Sequence, residues 1–250
     1  MGHGNLPPDP SAASGAAVSP ALLGELAAEL GLELTPQQCA ALVAYAALLQ
    51  RWNRVHNLTA IASGAQLLTH HLLDCLAIVR PLERALAQQA SDHASARPIR
   101  FLDAGAGAGL PGIPLAVARP HWHGTLVDAV EKKCAFLRQA RLELHLANLT
   151  VRHARLESCA LEPQELIVSR AFASLRDFVC LTRPLLRPDG LWAAMKGRKP
   201  LDEIADLPPG VELVDTITLR VPMLREQRHL VLLRLARQHQ QQPEQDSQQH

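Results

Sequence analysis

The feature that most constrains the fold of this chain is Ile99-Arg100-Phe101-Leu102-Asp103, a short apolar run closed by an acid. It leads at once into Ala104-Gly105-Ala106-Gly107-Ala108-Gly109-Leu110-Pro111-Gly112. An apolar run of this length bounded by turn residues reads as a buried strand. Alternating glycines allow left-handed backbone dihedrals and let a ligand approach the main chain closely. Pro111 suits the first turn of a helix. Strand, glycine-rich turn and helix start together form the first βα turn of a doubly wound sheet, where ligands sit beyond the carboxyl ends of the strands.

The rest of the chain fits around this turn. Apolar runs at 99–103, 124–128, 149–152, 165–169 and 191–195 alternate with helical periodicity at 112–118, 132–146 and 174–186. That alternation predicts a mostly parallel sheet covered on both faces. Residues 211–221 and 228–235 read as two long strands joined by too few residues for a helix, hence an antiparallel hairpin closing one edge. Ahead of the sheet, Ser19-Pro20 is a helix start, with Leu22, Leu23, Leu26 and Leu30 at helical spacing and Gly31 as terminator. Thr35-Pro36-Gln37-Gln38 is a capping box, opening a helix with Leu42, Tyr45, Leu49 and Trp52 on one face. A third helix is predicted from about 65 to 81, presenting Leu68, Leu72, Cys75 and Val79. The expected organisation is a disordered extension at 1–18, a helical region at 19–90 and a linker around 88–98. An α/β domain at 98–236 and a disordered Gln-rich tail at 237–250 complete it. The fold class is α/β, a doubly wound, Rossmann-like sheet with an antiparallel closing hairpin and an N-terminal helical extension.

Composition narrows the function. With 48% apolar residues and only 3% aromatic, the core must be built from Leu, Val, Ile and Ala. The formal net charge of +1 gives no global signal for a polyanionic partner. The cations are nearly all Arg, the lysines being Lys132, Lys133, Lys196 and Lys199. The five cysteines are odd in number, scattered and without a C-x-x-C pair, which fits reduced thiols in a cytoplasmic protein and no metal site. The opening residues lack the basic stretch and apolar run expected of a signal peptide, and no apolar stretch approaches the roughly 20 residues of a membrane span.

Two ligand classes use a glycine turn of this kind. Gly107-Ala108-Gly109-Leu110-Pro111-Gly112 has the G-x-G-x-x-G spacing of a dinucleotide site. It is displaced from the strand end, however, and contains Pro111. Asp103-Ala104-Gly105-Ala106-Gly107-Ala108-Gly109 reads D-x-G-x-G-x-G in register with the strand, the pattern that holds S-adenosylmethionine. Asp128 ends the second strand, where an acid accepts hydrogen bonds from ribose hydroxyls. It serves either cofactor equally. Among methyltransferases, the fourth strand runs Ile167-Val168-Ser169-Arg170-Ala171-Phe172, without the N/D-P-P-Y/F of exocyclic amino methylation. None of the cysteines follows Pro, which argues against C5-pyrimidine chemistry. What remains is methylation of an atom that is already nucleophilic.

The chain resembles the glucose-inhibited division protein B family, the bacterial 16S rRNA guanine-N7 methyltransferases, over roughly residues 20–236. The resemblance is carried by Trp52-Asn53, Asn57-Leu58-Thr59 and His71-Leu72-Leu73-Asp74. It continues through Phe101-Leu102-Asp103, Gly109-Leu110-Pro111-Gly112-Ile113-Pro114-Leu115 and Ser169-Arg170-Ala171-Phe172-Ala173-Ser174-Leu175. It ends with Met195-Lys196-Gly197 and Arg228-His229-Leu230-Val231. His70 and Cys75 depart from the family pattern, which has Arg and Ser there. The resemblance implies S-adenosylmethionine as cofactor and guanine 527 of 16S rRNA, free or in the small subunit, as substrate. It implies cofactor contacts at Gly105, Leu110, Leu156 and Glu157, with Arg170 facing the cofactor or the target base, beside Gly107 and Asp128, which the glycine turn and the second strand end already suggest. Leu156 and Glu157 would bracket the adenine.

Guanine N7 carries a lone pair and no proton, so no general base is required and no catalytic residue is assigned. Lys196, Arg198 and Arg228 are candidate phosphate contacts, and the helices carrying Arg51, Trp52 and Arg54 are candidates for presenting the RNA. A monomer is expected. Two other readings stay open at this point. One is an NAD(P)-dependent oxidoreductase on a similar sheet, and the other is a non-catalytic RNA-binding protein that keeps a methyltransferase fold.

Overall fold

The computed structural model describes residues 18–60, 64–89, 98–170 and 172–236. The extension predicted at 1–18 (apart from Val18), most of the linker and the tail predicted at 237–250 lie outside the described residues.

Seven strands form one sheet: β1 (Arg100–Ala104), β2 (His123–Asp128), β3 (Leu149–His153), β4 (Gln164–Arg170), β5 (Leu186–Lys196), β6 (Val211–Leu219) and β7 (Arg228–Leu235). Their order is β3-β2-β1-β4-β5-β7-β6. The first five are parallel, while β7 runs antiparallel to both β5 and β6. The strand order reverses between β1 and β4. That switch point opens a crevice above the carboxyl ends of the strands.

The apolar strands bury both faces. Along the central strands the residues alternate between two cores: Phe101, Leu126, Leu166, Leu191 and Leu230 face one, and Leu102, Val127, Ile167, Trp192 and Val231 the other. A parallel sheet with helices on each side demands this uninterrupted apolar sequence, because successive side chains point to opposite faces. Against the first face pack α6 (Gly112–Ala118) and α7 (Glu131–Glu143), and against the second packs α8 (Leu175–Thr182). A short helix, α9 (Leu201–Ala205), fills the connection from β5 to β6.

The N-terminal helices join the first core. In α1 (Pro20–Glu29), Ser19 caps the helix through a bond from the Leu22 N–H. In α2 (Pro36–His56), Thr35 and Gln38 form the predicted reciprocal capping box. The third helix departs from expectation. It begins as α3 (Gly64–Leu67), widens to a π-helical segment at Leu68–Leu73, and ends with α4 (Asp74–Leu76). A new helix, α5 (Val79–Gln89), then starts, so Pro81 lies in a first turn instead of ending a helix. Proline is tolerated there because the first-turn N–H groups have no partner inside the helix. Leu68, Leu72, Cys75 and Val79 are buried as predicted, and so are Leu67, Leu73, Leu76 and Ile78. Thr69, His71 and Asp74 are buried with them, so polarity does not track exposure along this segment and its period cannot be read from the sequence. The five cysteines are free thiols. Among the described residues no helix is long and apolar enough to cross a membrane.

Candidate active site

Two carboxylates at neighbouring strand ends organise the glycine loop. Asp103, fully buried on β1, accepts a hydrogen bond from the Gly112 N–H through Oδ2 (2.8 Å), fixing the start of α6. Asp128, at the end of β2, accepts from the Gly107 N–H (2.9 Å) and from the Val130 N–H (2.9 Å). Lys133 Nζ stands 3.8 Å from Asp128 Oδ2. Between these anchors the chain passes through positive φ at Gly105 (+69°), Gly107 (+57°) and Gly109 (+84°). At Gly109 a side chain would also strike Ile113, 2.5 Å away. The alternating glycines are therefore required by the backbone path itself.

Asp103 is a costly residue. Burial pushes its carboxyl up to about 7, against the pull of the Gly112 N–H and of Arg170. Its Oδ1 has no hydrogen-bond partner. A third support of the loop comes from outside the sheet: the Tyr45 hydroxyl on α2 donates to the Ala108 carbonyl (2.6 Å). From sequence, Tyr45 was simply one apolar position on a helix face. The available signal was chemical, since a buried tyrosine has to place its hydroxyl on a partner.

Beside the loop opens a cleft of about 250 Å³, lined by Gly105, Val127, Asp128, Ala129, Ala154, Arg155, Leu156, Glu157, Phe172 and Leu181. Four predicted cofactor residues, Gly105, Asp128, Leu156 and Glu157, meet in it although they belong to three separate βα connections. Ala129, Arg155, Phe172 and Leu181 were not predicted. They reach the cleft through chain folding, with Phe172 arriving from the turn after β4. A carboxylate at the rim and apolar walls match a nucleoside, whose ribose hydroxyls donate and whose base packs flat. Gly105 leaves the approach open, since even an added Cβ would meet only Phe172, at 3.9 Å. The residues present thus suit an adenosine-bearing cofactor.

The other predicted contacts lie elsewhere. Gly107 reaches the cleft through its bond to Asp128. The Leu110 side chain is buried in the first core. Arg170, at the end of β4, turns to the helical region. Its Nη1 donates to the His70 carbonyl (2.9 Å), faces His71 Nδ1 (3.3 Å) and lies 3.5 Å from Asp74 Oδ2. The same Nδ1 also lies 2.9 Å from the His70 carbonyl oxygen, and the other ring nitrogen, Nε2, lies 2.9 Å from Thr59 Oγ1. Burial, reinforced by Arg170, lowers the His71 pKa to about 4. Arg228 Nε lies 3.3 Å from Asp74 Oδ1, so one buried carboxylate bridges two guanidiniums from different strands.

Of the predicted phosphate contacts, Lys196 and Arg228 are engaged internally. Lys196 Nζ pairs with Glu203 (2.8 Å), and Glu203 also caps α8 by accepting from the Leu175 N–H (2.7 Å). Arg198 is exposed in the turn after β5. Among the described residues no group of three or more His, Cys, Asp or Glu side chains is placed to hold a metal ion.

Comparison with known proteins gives the same picture. Residues 38–231 match the family described as rRNA small subunit methyltransferase G. Three similar proteins bear the name ribosomal RNA small subunit methyltransferase G. That of Methylibium petroleiphilum is 49% identical over 81% of this chain and 88% of its own. That of Leptothrix cholodnii is 48% identical over 82% and 90%. That of Aromatoleum aromaticum is 47% identical over 86% and 99%. With most of its length matched at nearly half identity, the loop and cleft included, this chain belongs to the rRNA small subunit methyltransferase G family.

Proposed function

We propose that this protein transfers the methyl group of S-adenosylmethionine to N7 of guanine 527 in 16S rRNA. The observation that carries the reading is the meeting of Gly105 and Asp128, from two adjacent strand ends, in one nucleoside-sized cleft. Asp128 would hold the ribose, Leu156 and Glu157 the adenine edge, and the backbone at Gly105 the methionine portion. When bound, the cofactor supplies a sulfonium-activated methyl.

The chain's own residues have only to orient and shield. Transfer would place the cofactor's methyl on the N7 lone pair and leave the C–S electrons on sulfur, so no residue of the chain would have to remove a proton from the base. Holding nucleophile, methyl carbon and leaving sulfur in line supplies several kcal/mol, of order 7–11 in well-oriented systems. His71 has no proton to remove in this scheme, and its neutral ring instead spaces Arg170 from Thr59. The target base has to leave its stack to enter the crevice. Arg170, Arg198, Lys196 and Arg228 stand at the carboxyl ends or rims of β4, β5 and β7, and they remain the proposed cofactor and RNA contacts. A monomer acting on 16S rRNA or the small subunit completes the reading.

The test is methyl transfer from labelled S-adenosylmethionine to small subunits that lack the modification, with mass spectrometry of the digested rRNA. One new 7-methylguanosine is expected. Asp128→Ala should weaken cofactor binding at least ten-fold by calorimetry, the worth of about 1.4 kcal/mol. Tight binding of NAD(H) in place of S-adenosylmethionine would falsify the reading.

A further inference from the structure

A second cleft lies on the helical region, apart from the cofactor cleft. It has a volume of about 650 Å³ and is lined by Gln50, Asn53, Arg54, Asn57, Thr59 and Ala60, from the end of α2 and the turn that follows. That volume is within the range of small-ligand sites, roughly 300–1,000 Å³. Resting on the rRNA-methyltransferase reading, we propose that this cleft binds one unpaired nucleotide of the RNA substrate, its base against the amides and its phosphate on Arg54.

The lining is chemically specific. Of the six described residues that line it, three are amides, one is a hydroxyl and one a cation, with no carboxylate among the described residues. Amides donate and accept side by side, as the edges of nucleobases do. A metal would call for carboxylates, and a lipid or an amphipathic helix for an apolar floor. Arg54 is exposed and makes no ion pair among the described residues. Its place in the last turn of α2 also favours the helix dipole, but that role needs no amides around it.

Asn57 is the more telling residue. It ends α2 in the left-handed conformation (φ 48°, ψ 53°). Glycine takes that conformation with less strain. Asparagine there adds an exposed amide to the cleft at some conformational expense.

The cleft is also wired to the reacting site. The Thr59 N–H donates to Asn53 Oδ1 (2.8 Å), Thr59 Oγ1 lies 2.9 Å from His71 Nε2, and His71 Nδ1 lies 3.3 Å from Arg170 Nη1. A nucleotide seated on Thr59 is thus one imidazole ring away from Arg170, at the strand end beside the cofactor crevice. Binding one nucleotide of the substrate here would let a neighbouring stretch of the same strand deliver its guanine to that crevice.

The experiment measures anisotropy of a fluorescein-labelled single-stranded RNA carrying the sequence around the target guanine, with the full-length protein. The variants are Arg54→Gln, Asn57→Gly and the pair together. Asn57→Gly keeps the backbone conformation and removes only the amide. The expected result is a rise in RNA Kd of about ten-fold for Asn57→Gly, the size of one lost base-edge contact. Arg54→Gln should reduce the salt slope of binding by about one. Cofactor affinity by calorimetry should stay at the parent value in both, and Asn57→Gly should hold or raise Tm, so that a weaker RNA Kd is not a loss of folding.

An unchanged RNA Kd in the folded pair variant overturns the proposal. It is equally overturned if Asn57→Gly has no effect while Arg54→Gln acts on duplex and single-stranded RNA alike, for then the cleft reads charge and no base. These outcomes are independent of methyl transfer. A parent protein that binds RNA through this cleft but methylates nothing would instead sink the functional reading alone.

Discussion

Asp103 holds the start of α6 with one oxygen and leaves the other buried without a partner. Its folded pKa, about 7, is raised above the ordinary 3.8. A raised carboxyl contributes stability that is full below pH 3.8 and is lost as the pH climbs through 7, because the native state then holds a charge that burial disfavours. His71 works in the opposite direction: lowered from 6.5 to about 4, it favours the fold above pH 6.5 and less so as the pH falls through 4. Asp103→Asn isolates the first effect, since the amide oxygen can still accept from Gly112 and His71 is common to both proteins. The Tm of Asp103→Asn relative to wild type should therefore rise by several degrees between pH 4 and pH 8. Thermal unfolding at a series of pH values checks this, and a constant difference would show that Asp103 stays ionised throughout. Nothing in the sequence marks the burial of this acid, because D-x-G-x-G-x-G describes the backbone path and leaves the solvent out.

At the scale of elements, the start of α2 couples local and distant structure. Thr35 and Gln38 cap each other's N–H groups, while Gln38 Nε2 also donates to the carbonyls of Val117 (2.8 Å) and Ala118 (3.2 Å) at the end of α6. Thr35→Ala should cost about 1 kcal/mol in urea unfolding, the usual worth of a cap. Gln38→Ala should cost more, because it also strips a partner from two carbonyls at the end of a buried helix. Equal losses would mean that the bonds to α6 contribute nothing. The capping box, both helix starts and the ends of most strands were legible because caps and apolar runs are local. The π-helical segment at Leu68–Leu73 was not. Its extra residue per turn leaves no mark in the sequence, because Thr69 and His71 are buried along with the leucines, yet it lies directly before Asp74 and contains both histidines that meet Arg170. π-segments recur at functional sites, and this one joins the helical region to the strand end.

Across the whole molecule, the helical region and the sheet share a single apolar core that runs from Leu23 and Leu42 through Ile113 and Phe136 to Leu166 and Leu230. Tyr45, Gln38 and the Arg170–Asp74–Arg228 bridge cross the same boundary by hydrogen bonds and ion pairs. Residues 19–90 and 98–236 should therefore unfold in one transition. Trp52 fluorescence, with Trp122 and Trp192 replaced by Phe, should melt at the same urea concentration as the far-ultraviolet circular dichroism. An earlier loss of the Trp52 signal would show two independently stable units. The sequence alone determined the α/β class, the switch-point turn, the antiparallel closing hairpin and the placing of Asp103 and Asp128 at the ends of the first two strands. Each of these follows from strand period, glycine conformation and residue order along the chain. Only the tertiary structure decided that Arg170, Lys196 and Arg228 are held by internal carboxylates, that Tyr45 braces the glycine loop, and that amides of α2 line a second cleft. Those facts depend on which side chains meet across long separations in sequence, and a side chain's partner, unlike its backbone preference, is not written in its neighbours.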